Sequence, residues 1–179
     1  MNLGGELTQT ILGIDPGIAT VGFGVIRVDR GRQELVRCGA ILTPAGQRLS
    51  ARLRQIYEDT LELIKMFEPD AISVEELFFN DNLKTGIAVA HGRGVILLAG
   101  QERGIPMFEY TPLQVKRAIA GYGRANKKQM MEMVRRILGM ENVAKPDDAS
   151  DALALAITHA RFSGSLMNFD GGNSPCSTI

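Results

Sequence analysis

The chain has 179 residues, 45% of them hydrophobic and 22% charged, with 20 basic residues balanced by 20 acidic ones. That length fits one domain with a real core; zero net charge argues against gross polyanion binding, and no run of about 18 apolar residues exists to span a membrane. Two cysteines, Cys38 and Cys176, fit neither a disulfide framework nor a zinc site, so the expected home is the reducing cytosol.

Residues 1–9 form a polar extension without the basic-then-apolar pattern of a secretion signal. The stretch ILGIDPG at 11–17 then runs apolar into a single carboxylate and stops at a Pro-Gly turn. A continuous apolar run suits a strand buried on both faces. An ionised group at its end must be paired or bound to metal, although Asp15-Pro16-Gly17 also reads as plain turn chemistry. Residues 21–29 and 33–43 read as further strands joined by Asp29-Arg30-Gly31, completing a meander.

Leu49, Leu53, Ile56, Leu61, Ile64 and Phe67 recur every three to five residues and predict an amphipathic helix over 47–67. Residues 71–76, AISVEE, are the next strand, again closing on carboxylates; helix followed by strand begins a parallel α/β arrangement. A second helix is expected over 82–103. Its small residues Gly86, Ala90 and Gly94 lie at four-residue steps, which suits close approach of another helix, within the chain or in a dimer. Residues 105–110 make a short strand. Thr111-Pro112 opens a helix reaching Ala120, the hinge Gly121-Tyr122-Gly123 follows, and a basic helix covers 126–138. Pro146-Asp147-Asp148 opens the last helix, 149–162, and residues 163–179 read as a disordered tail.

Charge is distributed unevenly along this order. Residues 114–136 hold seven basic residues and one acid, while the rest of the chain is correspondingly acidic; a basic patch beside an acidic one follows. The acids cluster where elements end: Asp15, the pair Glu75-Glu76, and Asp147-Asp148 with Asp151. Asp148 and Asp151 are three apart and share a helix face, while first-turn aspartates also answer to the helix dipole. Alternation along a strand sends Glu75 and Glu76 to opposite sides without choosing between them. Converging carboxylates push protons onto one another, a conflict that a divalent cation removes. Oxygen ligands without a His or Cys cluster point to Mg²⁺ or Mn²⁺, and two such ions serve phosphodiester hydrolysis, with the basic segment holding the nucleic-acid backbone.

ILGIDPG, VEELFF, QVKRAIAGYGRANKKQM and DDASDALALAITHA, in this order and spacing, resemble the RuvC family of bacterial Holliday junction resolvases over residues 10–162. The resemblance implies an α/β, RNase H-like three-layer fold, with a five-stranded mixed sheet and helices on both faces. It implies four catalytic, metal-binding acids, Asp15, Glu75, Asp148 and Asp151, leaving Glu76 and Asp147 outside the metal shell. Two Mg²⁺ ions per site are expected, with Mn²⁺ as a substitute. It further implies homodimers that nick four-way DNA junctions symmetrically, leaving 5′-phosphate and 3′-hydroxyl ends, in partnership with the RuvA–RuvB branch-migration complex.

By the same resemblance Phe78 is an aromatic that meets DNA, with Phe79 expected in the core, and Lys116 and Lys127 are DNA-contacting lysines helped by Arg117, Arg124 and Lys128. An even cut across a two-fold junction needs two equivalent sites, and Gly86, Ile87, Ala90, Gly94, Val95 and Leu98 are the candidate dimer seam. His159, about 12 Å along the last helix from Asp151, is expected to be structural, and His91 to lie on a helix surface or dimer contact. Three alternatives remain open at this point. An actin-like ATPase would need a second domain around its nucleotide, an RNase H-like enzyme acting on RNA would cut an RNA–DNA hybrid, and a junction-binding module would lack one of the acids.

Overall fold

The computed structural model describes residues 8–77 and 83–169. A five-stranded sheet in the order β3-β2-β1-β4-β5 forms its centre, built from β1 (Gln9–Asp15), β2 (Thr20–Asp29), β3 (Arg32–Leu42), β4 (Ala71–Glu75) and β5 (Met107–Tyr110). The meander pairs antiparallel, Asp15 opposite Gly22, whereas β4 and β5 run parallel to β1. β1 is therefore central, and the continuous run Ile11-Leu12 with Ile14 is buried from both sides.

Helices cover both faces, as the three-layer expectation requires. On one side α1 (Leu49–Phe67) and α2 (Leu83–Glu102) pack on Leu12, Ile14, Val21, Val25, Ile72 and Val74. On the other, α3 (Pro112–Ala120), α4 (Lys127–Ile137) and α5 (Asp147–Phe169) close over Ile11 and Ile26. This parity decides the direction of the acids. Gly13 lies against α5, so Asp15, two residues on, faces α5 as well. Ile72 and Val74 face α1 and α2, so Glu75 also turns toward α5, because Ile14 pairs Val74 in the parallel ladder.

α5 sits unusually close to the sheet. A Cβ on Gly13 would fall 2.0 Å from the Ala152 carbonyl oxygen, one on Gly22 2.0 Å from that of Asp148, and one on Gly24 2.7 Å from the Leu153 side chain. Helix backbone thus rests directly on strand backbone, which only glycine permits. The alanine-rich inner face, Ala149, Ala152 and Ala156, completes the contact at zero exposure.

Local chemistry fixes the remaining ends. Thr111 and Gln114 form a capping box with Pro112 in the first turn of α3, and Asn126 and Gln129 do the same for α4; each cap contributes about 1 kcal/mol. α5 differs from expectation at both ends. It begins at Asp147 and runs through Phe169, seven residues beyond the expected end at Phe162, with the Ser163 hydroxyl donating to the main-chain oxygens of His159 and Ala160. Residues 170–179 and 1–7 lie outside the described residues, as do Phe78 and Phe79. Cys38 is only half-buried on β3. His159 is structural: buried, it stacks on Phe108 with ring centroids 4.1 Å apart and shares a 2.8 Å hydrogen bond with the Tyr110 hydroxyl.

Candidate active site

Asp15 closes β1, Glu75 closes β4, and Asp148 and Asp151 stand in the first turns of α5. Parallel pairing brings the first two strand ends side by side, and the glycine seat lowers the α5 aspartates onto them. Asp15, Glu75 and Asp151 line a cleft of about 330 Å³ together with Pro112, Val115, Lys116, Asn126, Lys127 and Met130. Asp148 is not in that lining; its backbone sits over Gly22, the residue paired with Asp15.

Electrostatics records the convergence more sharply than contact does. Burial, then the charges of Glu75, Asp151 and Asp148, push the Asp15 carboxyl up to about 8 against a slight opposing pull from Lys127. Burial and then Asp151 raise Glu75. Burial also raises Asp151, while Lys127 pulls it back. Lys127 Nζ lies 3.3 Å from Asp151 and 3.4 Å from Asp147. Asp147 is thus engaged by Lys127 at the rim and exposed.

Among the described residues, no three His, Cys, Asp or Glu side chains are already gathered closely enough to hold one ion. The acids nevertheless share an electrostatic field, each of Asp15, Glu75 and Asp151 being raised in part by neighbouring carboxylates. The donor set fits hard divalent cations: it consists of carboxylate oxygens, and burial followed by the neighbouring carboxylates pushes Asp15 up to about 8, a conflict that a bound cation would relieve.

This field has a measurable consequence. A folded-state pKa above the unfolded value means that the native chain holds a proton the unfolded chain releases. Asp15 therefore stabilises fully only below about pH 4, and that contribution is lost as pH rises through about 8. Glu75 and Asp151 shift in the same direction. Melting in chelator should show stability falling between pH 5 and 8 by a few kcal/mol at most, roughly 1.4 per pKa unit before solvent screening. Mg²⁺ should flatten the slope, and a flat profile in chelator would contradict the placement of Asp15.

Of the expected nucleic-acid contacts, Lys116 and Lys127 line the cleft, whereas Arg117, Arg124 and Lys128 are exposed and outside its lining. The expected seam divides. Ile87 and Leu98 are 46% and 57% exposed and Gly94 faces open space, on the same outward side as the exposed His91. Val95 instead packs into the core on the α1 side, which removes it from the outward stripe, and Gly86 and Ala90 are half-buried. Close approach within the chain falls to Gly92, where a Cβ would meet the Gly17 oxygen at 2.4 Å. Asn126, expected only as the start of the basic helix, caps α4 and also lines the cleft. Arg93 was missed; its Nε donates to the Glu75 main-chain oxygen at 3.2 Å, and nothing in local sequence marks that contact.

A family model described as crossover junction endodeoxyribonuclease RuvC matches residues 11–159. The crossover junction endodeoxyribonuclease RuvC of Rubrobacter xylanophilus is 52% identical over 158 residues, covering 88% of each chain. The solved structure of Thermus thermophilus RuvC matches with a TM-score of 0.81 at 36% identity, over 87% of this chain and 96% of that one. T. thermophilus RuvC in complex with Holliday junction substrate gives 0.80 at 34% identity over the same shares. On a family model spanning most of the chain and a relative at 52% identity, this chain belongs to the RuvC family of crossover junction endodeoxyribonucleases.

Proposed function

We propose that this protein resolves Holliday junctions by paired hydrolytic nicks, with Asp15, Glu75, Asp148 and Asp151 as the ligands of two Mg²⁺ ions. The observation that carries the reading is Asp15, half-buried in the field of three other carboxylates at the wall of a cleft that also presents Lys116 and Lys127. Bound divalent cations supply an activated water and stabilisation of the departing oxygen. The chain's own part is to hold acidic oxygens in a partly dry cleft and to seat the DNA backbone on lysines from α3 and α4. Lys127, paired with Asp151, stands between the two tasks, and exposed Arg117 on α3, Arg124 in the loop after it and Lys128 on α4 extend the basic surface.

The working form is a homodimer paired through the outward stripe Ile87-Gly94-Leu98 of α2, with Phe78 reaching the junction and the RuvA–RuvB complex as partner in the cytoplasm. Among the described residues no helix is long and apolar enough to cross a membrane. Incubation of the purified chain with labelled four-way DNA tests the function: symmetrical, ligatable nicks with Mg²⁺ and none in chelator support it. Preferential cutting of an RNA–DNA hybrid would overturn it.

Lys116 gives a separate check on the nucleic-acid surface. Lys116→Ala should weaken junction binding and reduce the slope of log affinity against log salt by about one, the loss of one phosphate contact. Binding assays across salt concentrations read this directly; an unchanged slope would remove Lys116 from the interface.

A further inference from the structure

Arg93 stands in the middle of α2, and its side chain is only 14% exposed. A guanidinium is buried to this degree only when its donors are used, and here they are. Nε donates to the main-chain oxygen of Glu75 at 3.2 Å, and Nη2 pairs with the Glu109 carboxylate on β5. One residue earlier, Gly92 lies against the main-chain oxygen of Gly17. α2 therefore touches the chain just beyond both acidic strands: the turn that follows Asp15 and the last peptide of β4.

The contact falls where β1 stops pairing with β4: that ladder ends at Ile14 and Val74, so the Glu75 peptide is held by strand pairing on the β5 side alone. Glu75 is the last residue of β4, paired with Tyr110, and the next amide, Glu76, donates to the Tyr110 oxygen. The orientation of the Glu75 peptide sets the direction in which its side chain leaves the strand. We propose that Arg93 is a positioning residue for Glu75, fixing that peptide so that the carboxylate points at the cleft. The proposal rests on the reading of Glu75 as a metal ligand. The Arg93–Glu109 pair, its carboxylate 45% exposed, contributes only modestly to stability; a directed bond to the peptide of an acidic cleft residue is a reason to keep arginine. Lysine, a single compact ammonium, does not reproduce the fork that reaches Glu75 and Glu109 together.

Four variants test this: Arg93→Met, Arg93→Lys, Glu109→Gln and Glu75→Gln. For each, the melting temperature, junction affinity in chelator, calorimetric binding of Mn²⁺ alone and single-turnover cleavage are compared with the parent. Arg93→Met and Arg93→Lys should bind junction within about twofold, yet lose roughly 10- to 100-fold in Mn²⁺ affinity, the scale of losing a group that orients a ligand, with cleavage falling alongside. Glu109→Gln breaks the ion pair but leaves the bond to Glu75. It should lower the melting temperature while Mn²⁺ affinity and cleavage stay within about threefold.

Equal losses in Arg93→Met and Glu109→Gln would show a packing role only and overturn the proposal. Parental Mn²⁺ affinity and cleavage in Arg93→Met would do the same, provided Glu75→Gln loses Mn²⁺. Should Arg93→Met fail to fold, Arg93→Lys decides by the same criteria. Unchanged Mn²⁺ binding in Glu75→Gln would remove the ligand reading itself, and the proposal with it.

Discussion

Asp15→Asn should abolish junction cleavage, by roughly 10³-fold or more, on the scale of losing one electrostatic stabiliser of a transition state, while junction binding is kept. On the proposed reading, binding rests on basic residues of α3, α4 and the loop between them, and Asp15 interacts with these only through the weak pull of Lys127. The substitution exchanges an anionic oxygen for an amide at the most strongly perturbed carboxyl of the cleft. It also relieves repulsion toward Glu75, Asp151 and Asp148, so in chelator at pH 8 the variant should melt higher than the parent. Loss of activity together with a gain in metal-free stability is the signature of a site held under charge strain. Single-turnover kinetics and thermal melts in chelator read both, and normal cleavage by Asp15→Asn with Mg²⁺ would show the site assignment to be wrong.

Gly22→Ala should cost about 10²-fold in cleavage with little change in junction affinity. The new methyl would lie 2.0 Å from the Asp148 carbonyl oxygen and 2.9 Å from its Cβ, so α5 must lift or β2 must give way. Overpacking of this kind costs about 1–3 kcal/mol, and a displacement of about 1 Å at a reacting centre costs about 10²-fold in rate. Because Gly22 pairs with Asp15, the disturbance lands between the strand acid and the helix acids. Gly13→Ala presses on α5 one turn beyond Asp148, at Ala152 beside Asp151 and at Ala156, and should destabilise comparably. Single-turnover rates set against melting temperatures check both variants, and a fully active Gly22→Ala would contradict the seat.

Those two residues also show where sequence is informative and where it stops. The apolar run into Asp15 was legible as a doubly buried strand because β1 is central, and the five strands and five helices follow the expected order. Gly22, read only as part of a strand, gave no sign of the helix it touches, because that helix comes more than a hundred residues later. Glu75 could not be separated from Glu76 by alternation, since β4 is apolar along its length; the parallel register with β1, a long-range fact, turns Glu75 toward α5. Helix α5 outran its expected end because Ser163 and Gly164 weaken helix propensity in the sequence, whereas the docked alanine face upstream holds the helix against the sheet. The seam was half legible: four-residue spacing finds a face, but α2 has apolar residues all round, so only packing on α1 shows Val95 inside and Leu98 outside.

The central claim is that acids from β1, β4 and α5 act together as one cation-binding group. Calorimetric titration of Mn²⁺ into the chelator-treated protein, repeated with Asn or Gln replacing Asp15, Glu75, Asp148 or Asp151 one at a time, tests it most directly. The account predicts saturable binding of about two ions per chain, weakened by each of the four substitutions and left intact by Glu76→Gln. Binding that survives all four would contradict it.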